Sequence, residues 1–283
     1  MLDVVQLVRD GKARIEWGMV TAKAGPETIL LPVFRDAAKF DDVPALTWDY
    51  KPVPKDNTIY NGVRLPASAH QLQQIADLTN CMLMTPRVVD YLWMQSASKL
   101  PAVATVKGVI AAVSNITDVH KALEQKLADK GGDPGNGALI ESVGKYWVLT
   151  NTFAYGKFGK AQACNYGWQD RGAPNQPCTP GSQKVWQAPG LAHNDAHWDP
   201  SQVIRLMYNQ CVRISPAGEM VVTNTRDLLA DPAYALALHH EGILKYFRQQ
   251  AVPELPNTEV VGFYAPNITE LLNAYLEKPA CNT

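Results

Sequence analysis

The sequence predicts a mixed α+β fold in one compact domain: a mostly antiparallel sheet with flanking helices and one long functional loop. Three observations predict it. Apolar runs of strand length recur along the chain, bounded by glycine and proline. Between them lie stretches whose apolar residues repeat at helical spacing. A chain of 283 residues with 46% hydrophobic content can bury one sizeable core. Residues 1–58 are expected to form an N-terminal extension packed on a core of residues 59–250, with residues 251–283 as a C-terminal helical segment.

Residues 1–24 read as a helix or strand followed by a strand, and residues 29–34 as a short buried strand. Residues 41–57, with Pro44, Pro52 and Pro54, read as an irregular connection. Residues 59–66 form a strand that ends at Pro66. Ser68 is an N-cap for a helix carrying Leu72, Ile75, Ala76 and Leu78. Asn80-Cys81 breaks that helix, and Thr85-Pro86 caps and opens the next, with Val88, Val89, Leu92 and Trp93. Residues 101–113 are small and apolar, residues 118–129 an amphipathic helix, and residues 130–137 a surface loop. Residues 138–140 and 146–150 read as strands, and residues 170–200 as the longest loop. Strands at 203–207 and 211–214 follow, then a turn at Pro216-Ala217-Gly218 into a strand at 220–222. Helices are predicted at 225–229, 233–247 and Ile268–Leu276.

Composition excludes some functions. A net charge of −1 offers no field of one sign for nucleic acid or an anionic bilayer. No apolar run reaches the roughly 18 to 20 residues of a membrane span, so integral membrane association is not expected. The opening Met1-Leu2-Asp3-Val4-Val5-Gln6 lacks the basic and apolar regions of a signal peptide. Cys164 and Cys178 flank a turn-rich stretch, and Cys211 and Cys281 are further candidates for pairing. Two disulfides with Cys81 free would suit a secreted or periplasmic protein whose leader is not in this sequence. Five reduced thiols in a cytoplasmic protein is the other reading. With no CxxC pair, a structural zinc ribbon is not expected.

The densest chemistry lies in His193-Asn194-Asp195-Ala196-His197-Trp198-Asp199-Pro200-Ser201, at the end of the long loop. Two histidines and two carboxylates this close supply acid and base groups or metal ligands. His193 with Asp199 and Ser201 is the candidate catalytic set, and Trp198 a candidate substrate contact. No cofactor is favoured; the alternative is a divalent metal such as zinc on His193, His197 and Asp195 or Asp199. Cys81, next to the start of the second helix, is a candidate nucleophile in a Cys81–His193–Asp199 relay; core packing is its plain alternative. His239 and His240 point about 100° apart on the predicted helix, so only one of them could face a cleft. Arg64 and Arg205 lie in apolar strand contexts and need anionic partners: a substrate carboxylate, or Asp199 or Asp90. Ser201 is not in a GxSxG elbow, and no P-loop or GxGxxG is present.

Several segments follow one another in a particular order: Val63-Arg64-Leu65-Pro66, Gln74-Ile75-Ala76-Asp77, residues 81–90, Tyr166-Gly167-Trp168, Gln176-Pro177 and residues 199–206. This order resembles a family of largely uncharacterised, often exported bacterial proteins. Its members read VRVP, a helix leading to LPT-(R/K)-MVD, YGWH, QPL, a histidine and DYSHG(I/V)RL. The resemblance covers residues 60–245. It implies polysaccharide or cell-wall degradation, with Arg64, Asp90, His193, Asp199, Ser201 and Arg205 matching the pattern. Two family histidines are replaced, by Gln169 and Gln202, and His197 stands at a position that is usually aromatic. The cysteine of the faintly similar L,D-transpeptidase signature is absent from its place.

Three functions follow as expectations. The first is a hydrolase of a bacterial cell-envelope polymer, a peptidoglycan amide or acidic glycan, using His193 and Asp199, with Arg64 or Arg205 holding an anionic group. The second gives the same reaction to a metal. The third is a non-catalytic module binding cell-wall glycan, with seven tryptophans and eleven tyrosines as stacking faces.

Overall fold

The computed structural model describes residues 2–47, 49–101, 115–135, 137–152, 162–169, 185–250, 252–255 and 264–277. The chain is α+β and mostly antiparallel. The predictions for residues 102–113 and 170–184, and the cysteines at 178 and 281, lie outside the described residues.

From the N-terminus, α1 (Val4–Arg9) leads through β1 (Ala13–Arg14) into a hairpin of β2 (Trp17–Ala24) and β3 (Glu27–Phe34). Four short strands follow: β4 (Lys39–Phe40), β5 (Val43–Pro44), β6 (Ile59–Tyr60) and β7 (Val63–Arg64). The predicted strand at 59–66 is thus two pieces, because Gly62 turns the backbone at φ +70 between them. Next come α2 (Ala69–Leu78), β8 (Cys81–Met82), α3 (Pro86–Gln95), β9 (Ser98–Lys99), α4 (Ile116–Ala128) and β10 (Ile140–Glu141). Both predicted caps are present. Ser68 and Gln71 form a reciprocal capping box on α2, and Thr85 accepts from the Val88 N–H ahead of Pro86.

A second sheet holds β11 (Lys145–Val148), β12 (Gln162–Gln169) and β13 (Val185–Asn194) in that order. The main sheet is completed by β14 (Met207–Tyr208), β15 (Gln210–Ile214) and β16 (Met220–Asn224). Helices α5 (Thr225–Ala230), α6 (Ala235–Leu238) and α7 (Ile268–Leu276) close the described chain.

The main sheet runs β16-β15-β3-β14-β8, with β2 also pairing β3. β3 is its centre, buried from Ile29 to Phe34, and so reads as a continuous apolar run. β2 shows the alternating burial of a strand with one covered face. Residues 1–58 are therefore not an extension packed on a separate core. They supply the central strand, because β3 is apolar on both faces and needs neighbours on both sides.

Three further expectations are corrected. Residues 185–194 of the supposed loop are strand β13. The strand expected at 203–207 is reduced to β14, because residues 203–206 hydrogen-bond irregularly: Phe34 N–H donates to the Leu206 carbonyl and Ala38 N–H to that of Ile204. The helix expected at 233–247 stops at Leu238. His239 turns extended, and Gly242 at φ +76 closes a turn back to the His239 carbonyl.

Candidate functional site

The site is built on β11 and the end of β13. β12 pairs with both, placing Ala163 opposite His193 and Asn165 opposite Trp147. Side chains of paired residues share a face, so the register gathers Lys145, Trp147, Asn165 and His193 on one side of this sheet. Asn194 ends β13 with an Asx turn: its side-chain Oδ1 accepts the Ala196 N–H at 3.1 Å, and its carbonyl accepts the His197 N–H at 3.2 Å. The turn folds His197 back onto His193. The two rings stack 3.8 Å apart with planes 4° from parallel. Trp147 meets both edge-on, at 6.3 and 6.5 Å.

The following residues latch onto the outer edge of β11. Lys145 N–H donates to the Ser201 carbonyl at 2.6 Å, and Val203 N–H to the Lys145 carbonyl at 3.2 Å. Gly144 permits this approach, since a Cβ there would lie 2.5 Å from the Ser201 carbonyl oxygen. The latch presents Asp199 to Lys145, whose Nζ donates to Oδ2 at 2.8 Å. The Ser201 N–H donates to Asp199 Oδ1 at 2.9 Å, and the Ser201 hydroxyl donates to the same oxygen. His197 Nε2 lies 4.0 Å from Asp199 Oδ2.

Burial raises the Asp199 pKa, but the Lys145 charge and the hydrogen bonds from Lys145 and Ser201 outweigh it and hold the group below the ordinary carboxylate range. Burial, then the charges of His197 and Lys145, push His193 below the usual imidazole value against the opposing pull of Asp199. The Asp199 carboxylate, hydrogen-bonded to Lys145, and a neutral His193 imidazole therefore stand together near neutral pH. That set can accept a proton and steady developing charge.

The remaining predicted residues go elsewhere. Asp195 turns away, its Oδ2 3.4 Å from His70 Nδ1 while its carbonyl accepts the His70 N–H. Among the described residues no group of three or more His, Cys, Asp or Glu side chains is arranged to hold a metal. Trp198 packs edge-on against Tyr50 at 4.9 Å. Cys81 lies in β8, in the main sheet, rather than at a helix start: Thr85 caps α3 four residues later. Its thiol is buried, donates to the Thr79 carbonyl, and is pushed up to about 12 by burial. The Cys81–His193–Asp199 relay is not assembled. Cys81, Cys164 and Cys211 are buried free thiols.

Both arginine side chains are buried. Arg205 is fully buried and donates to Glu141 at 2.6 Å, to Tyr146 at 3.2 Å and to the carbonyls of Phe34, Arg35 and Ile140. Arg64 makes a two-pronged pair with Asp36, at 2.9 and 2.6 Å, and a further bond to Glu124. Both are structural clamps, because every prong of a buried guanidinium needs an acceptor and the chain supplies them. Asp90 pairs with neither. It accepts from Tyr166 at 2.5 Å and lies 2.7 Å from His240 Nε2.

Sequence reasoning missed Lys145, one residue before the predicted strand, and Trp147, which read as an ordinary strand residue; their one signal was the i, i+2 spacing that puts both on one face. It also missed Asn165, one of three buried amides here. Among the described residues Asn165 and Gln169 leave both amide atoms without a hydrogen-bond partner, and Gln202 leaves its Nε2 so. Gln169 and Gln202 are the two residues that replace family histidines in the resemblance. A cavity of about 500 Å³ lies elsewhere, bordered by Trp93, Ser98, Lys99 and Lys130, and none of the predicted site residues borders it. Among the described residues no helix is long and apolar enough to cross a membrane. Comparison with family models, curated proteins and solved structures finds no match for the chain.

Proposed function

We propose that this protein is an exported hydrolase of a bacterial cell-envelope polymer, with His193 as general base. The observation that carries the reading is the stacked His193–His197 pair held against Trp147 beside the Asp199–Lys145 ion pair. Burial and the neighbouring His197 and Lys145 hold His193 below the usual imidazole value, so it serves as a neutral base. His193 takes a proton from water as the water oxygen bonds to the substrate carbonyl carbon. Lys145 steadies the charge that develops on the carbonyl oxygen. The bond to the leaving nitrogen then breaks, and that nitrogen receives the proton from His193. The motif resemblance supports the same substrate class.

A second reading is a non-catalytic cell-wall binding module. The replacement of two family histidines by Gln169 and Gln202 favours it, since glutamine binds but does not exchange protons at neutral pH. Incubation with purified sacculi, with and without EDTA, separates the readings. Soluble fragments identified by mass spectrometry and insensitive to EDTA support the base mechanism. Fragments lost with EDTA give the reaction to a metal. Protein pelleting with the sacculi without fragments gives the binding module.

A further inference from the structure

β16 is an edge strand of the main sheet. Proteins that stay alone blunt such edges with charge, proline or a bulge. β16, Met220-Val221-Val222-Thr223-Asn224, has none of these. Met220, Val221 and Val222 are 45%, 51% and 55% exposed. Consecutive strand residues point to opposite faces, so apolar surface is open on both sides of this edge.

The register fixes which backbone groups face outward. Ser215 N–H donates to the Glu219 carbonyl, so these two form a hydrogen-bonded pair. Antiparallel pairs alternate, so Arg213 with Val221 and Cys211 with Thr223 are bonded pairs too. The N–H and C=O groups of Met220 and Val222 therefore point away from β15, and among the described residues no strand pairs with them.

We propose that β16 is the interface at which two copies of this chain pair, antiparallel and edge to edge, about a two-fold axis through Val222. In that register Val222 lies opposite the partner's Val222, Val221 opposite the partner's Thr223, and Met220 opposite the partner's Asn224. The arrangement is isologous, so each contact occurs twice. Charge agrees with it. Glu219 falls just past the end of the partner's β16, on the side where the partner's Arg226 opens α5. Within one chain the Arg226 Nε has no hydrogen-bond partner among the described residues, and Glu219 is exposed. A strand that complements itself in register and flanking charge, with Val222 against Val222 at its centre, fits a second copy better than a foreign segment.

Sedimentation equilibrium of the full chain tests this. Wild type is expected at twice the 31.1 kDa chain mass. Val222→Pro removes only an outward N–H and breaks no bond to β15; it and Val222→Lys are expected to weaken dimerisation by roughly tenfold or more. Circular dichroism melts show that each variant is folded, and either folded variant suffices. Glu219→Arg is expected to weaken the dimer, and adding Arg226→Glu to restore it. A wild type that stays monomeric up to its solubility limit overturns the proposal and leaves the edge to a strand of another protein. A folded Val222 variant that dimerises as wild type does, or a charge reversal without effect, overturns it as well.

Discussion

Arg205 shows what one residue can carry. Its guanidinium and Glu141 are both fully buried, so removing one leaves an unpaired charge in the core. Arg205→Met should cost about 3–5 kcal/mol of folding free energy. Adding Glu141→Leu should recover much of that loss, read from urea denaturation midpoints. Sequence alone identified Arg64 and Arg205 as buried arginines needing anions. It could not name the anions, because Asp36 and Glu141 lie 28 and 64 residues away along the chain. The site histidines were legible for the opposite reason: they are crowded into one short segment. Their electrostatics give a pH signature. His193 is held below the ordinary imidazole value, so it remains a neutral base to lower pH than a free histidine does. The acidic limb of the activity profile should therefore fall below pH of about 6.5. His197→Phe removes one of the charges that depress His193, and should move that limb upward. The thiols should be silent. Burial raises Cys81 and Cys164 to about 12 and Cys211 to about 11, so iodoacetamide should label none of the three until the protein unfolds.

At the scale of the element, legibility followed local chemistry. α2 and α3 were readable because cap, proline and apolar spacing coincide within a few residues. The α2 box gives a direct check: Ser68→Ala should cost about 1 kcal/mol, measured by urea denaturation. β12 had no such signal. Its residues from Ala163 to Gln169 are buried on both faces, yet include Asn165, Gly167 and Gln169, and two bulges interrupt its pairing with β13. No period of two survives that combination. The stretch 233–247 failed in the other direction, since its apolar residues keep helical spacing beyond the turn that Gly242 closes. β13 was hidden by Pro189 and Gly190, which mark loops in sequence. Here they sit in a strand beside a bulge, where Gly190 lies against the Asn165 side chain.

The molecule as a whole is held by buried charge as well as by its core. Asp36 joins Arg64 and Lys39, and Arg64 reaches on to Glu124 in α4, so this cluster ties β4 and β7 to a distant helix. Burial raises the Asp36 pKa, but Arg64 foremost outweighs it and holds the carboxyl far below its usual range. Its folded value thus lies under its unfolded one. The stabilisation is complete above pH of about 4 and is lost as the pH falls through the depressed value. Asp36→Asn should lower stability at neutral pH and flatten the acid limb of the stability curve. The central claim, that the His193 face cleaves a cell-envelope polymer, is tested most directly by fragment release from sacculi at neutral pH. Wild type and His193→Ala would be compared after circular dichroism shows both folded. The account predicts fragments from wild type and a loss of about a hundredfold or more in the variant. Equal release by both, or none by wild type at any pH, would contradict it.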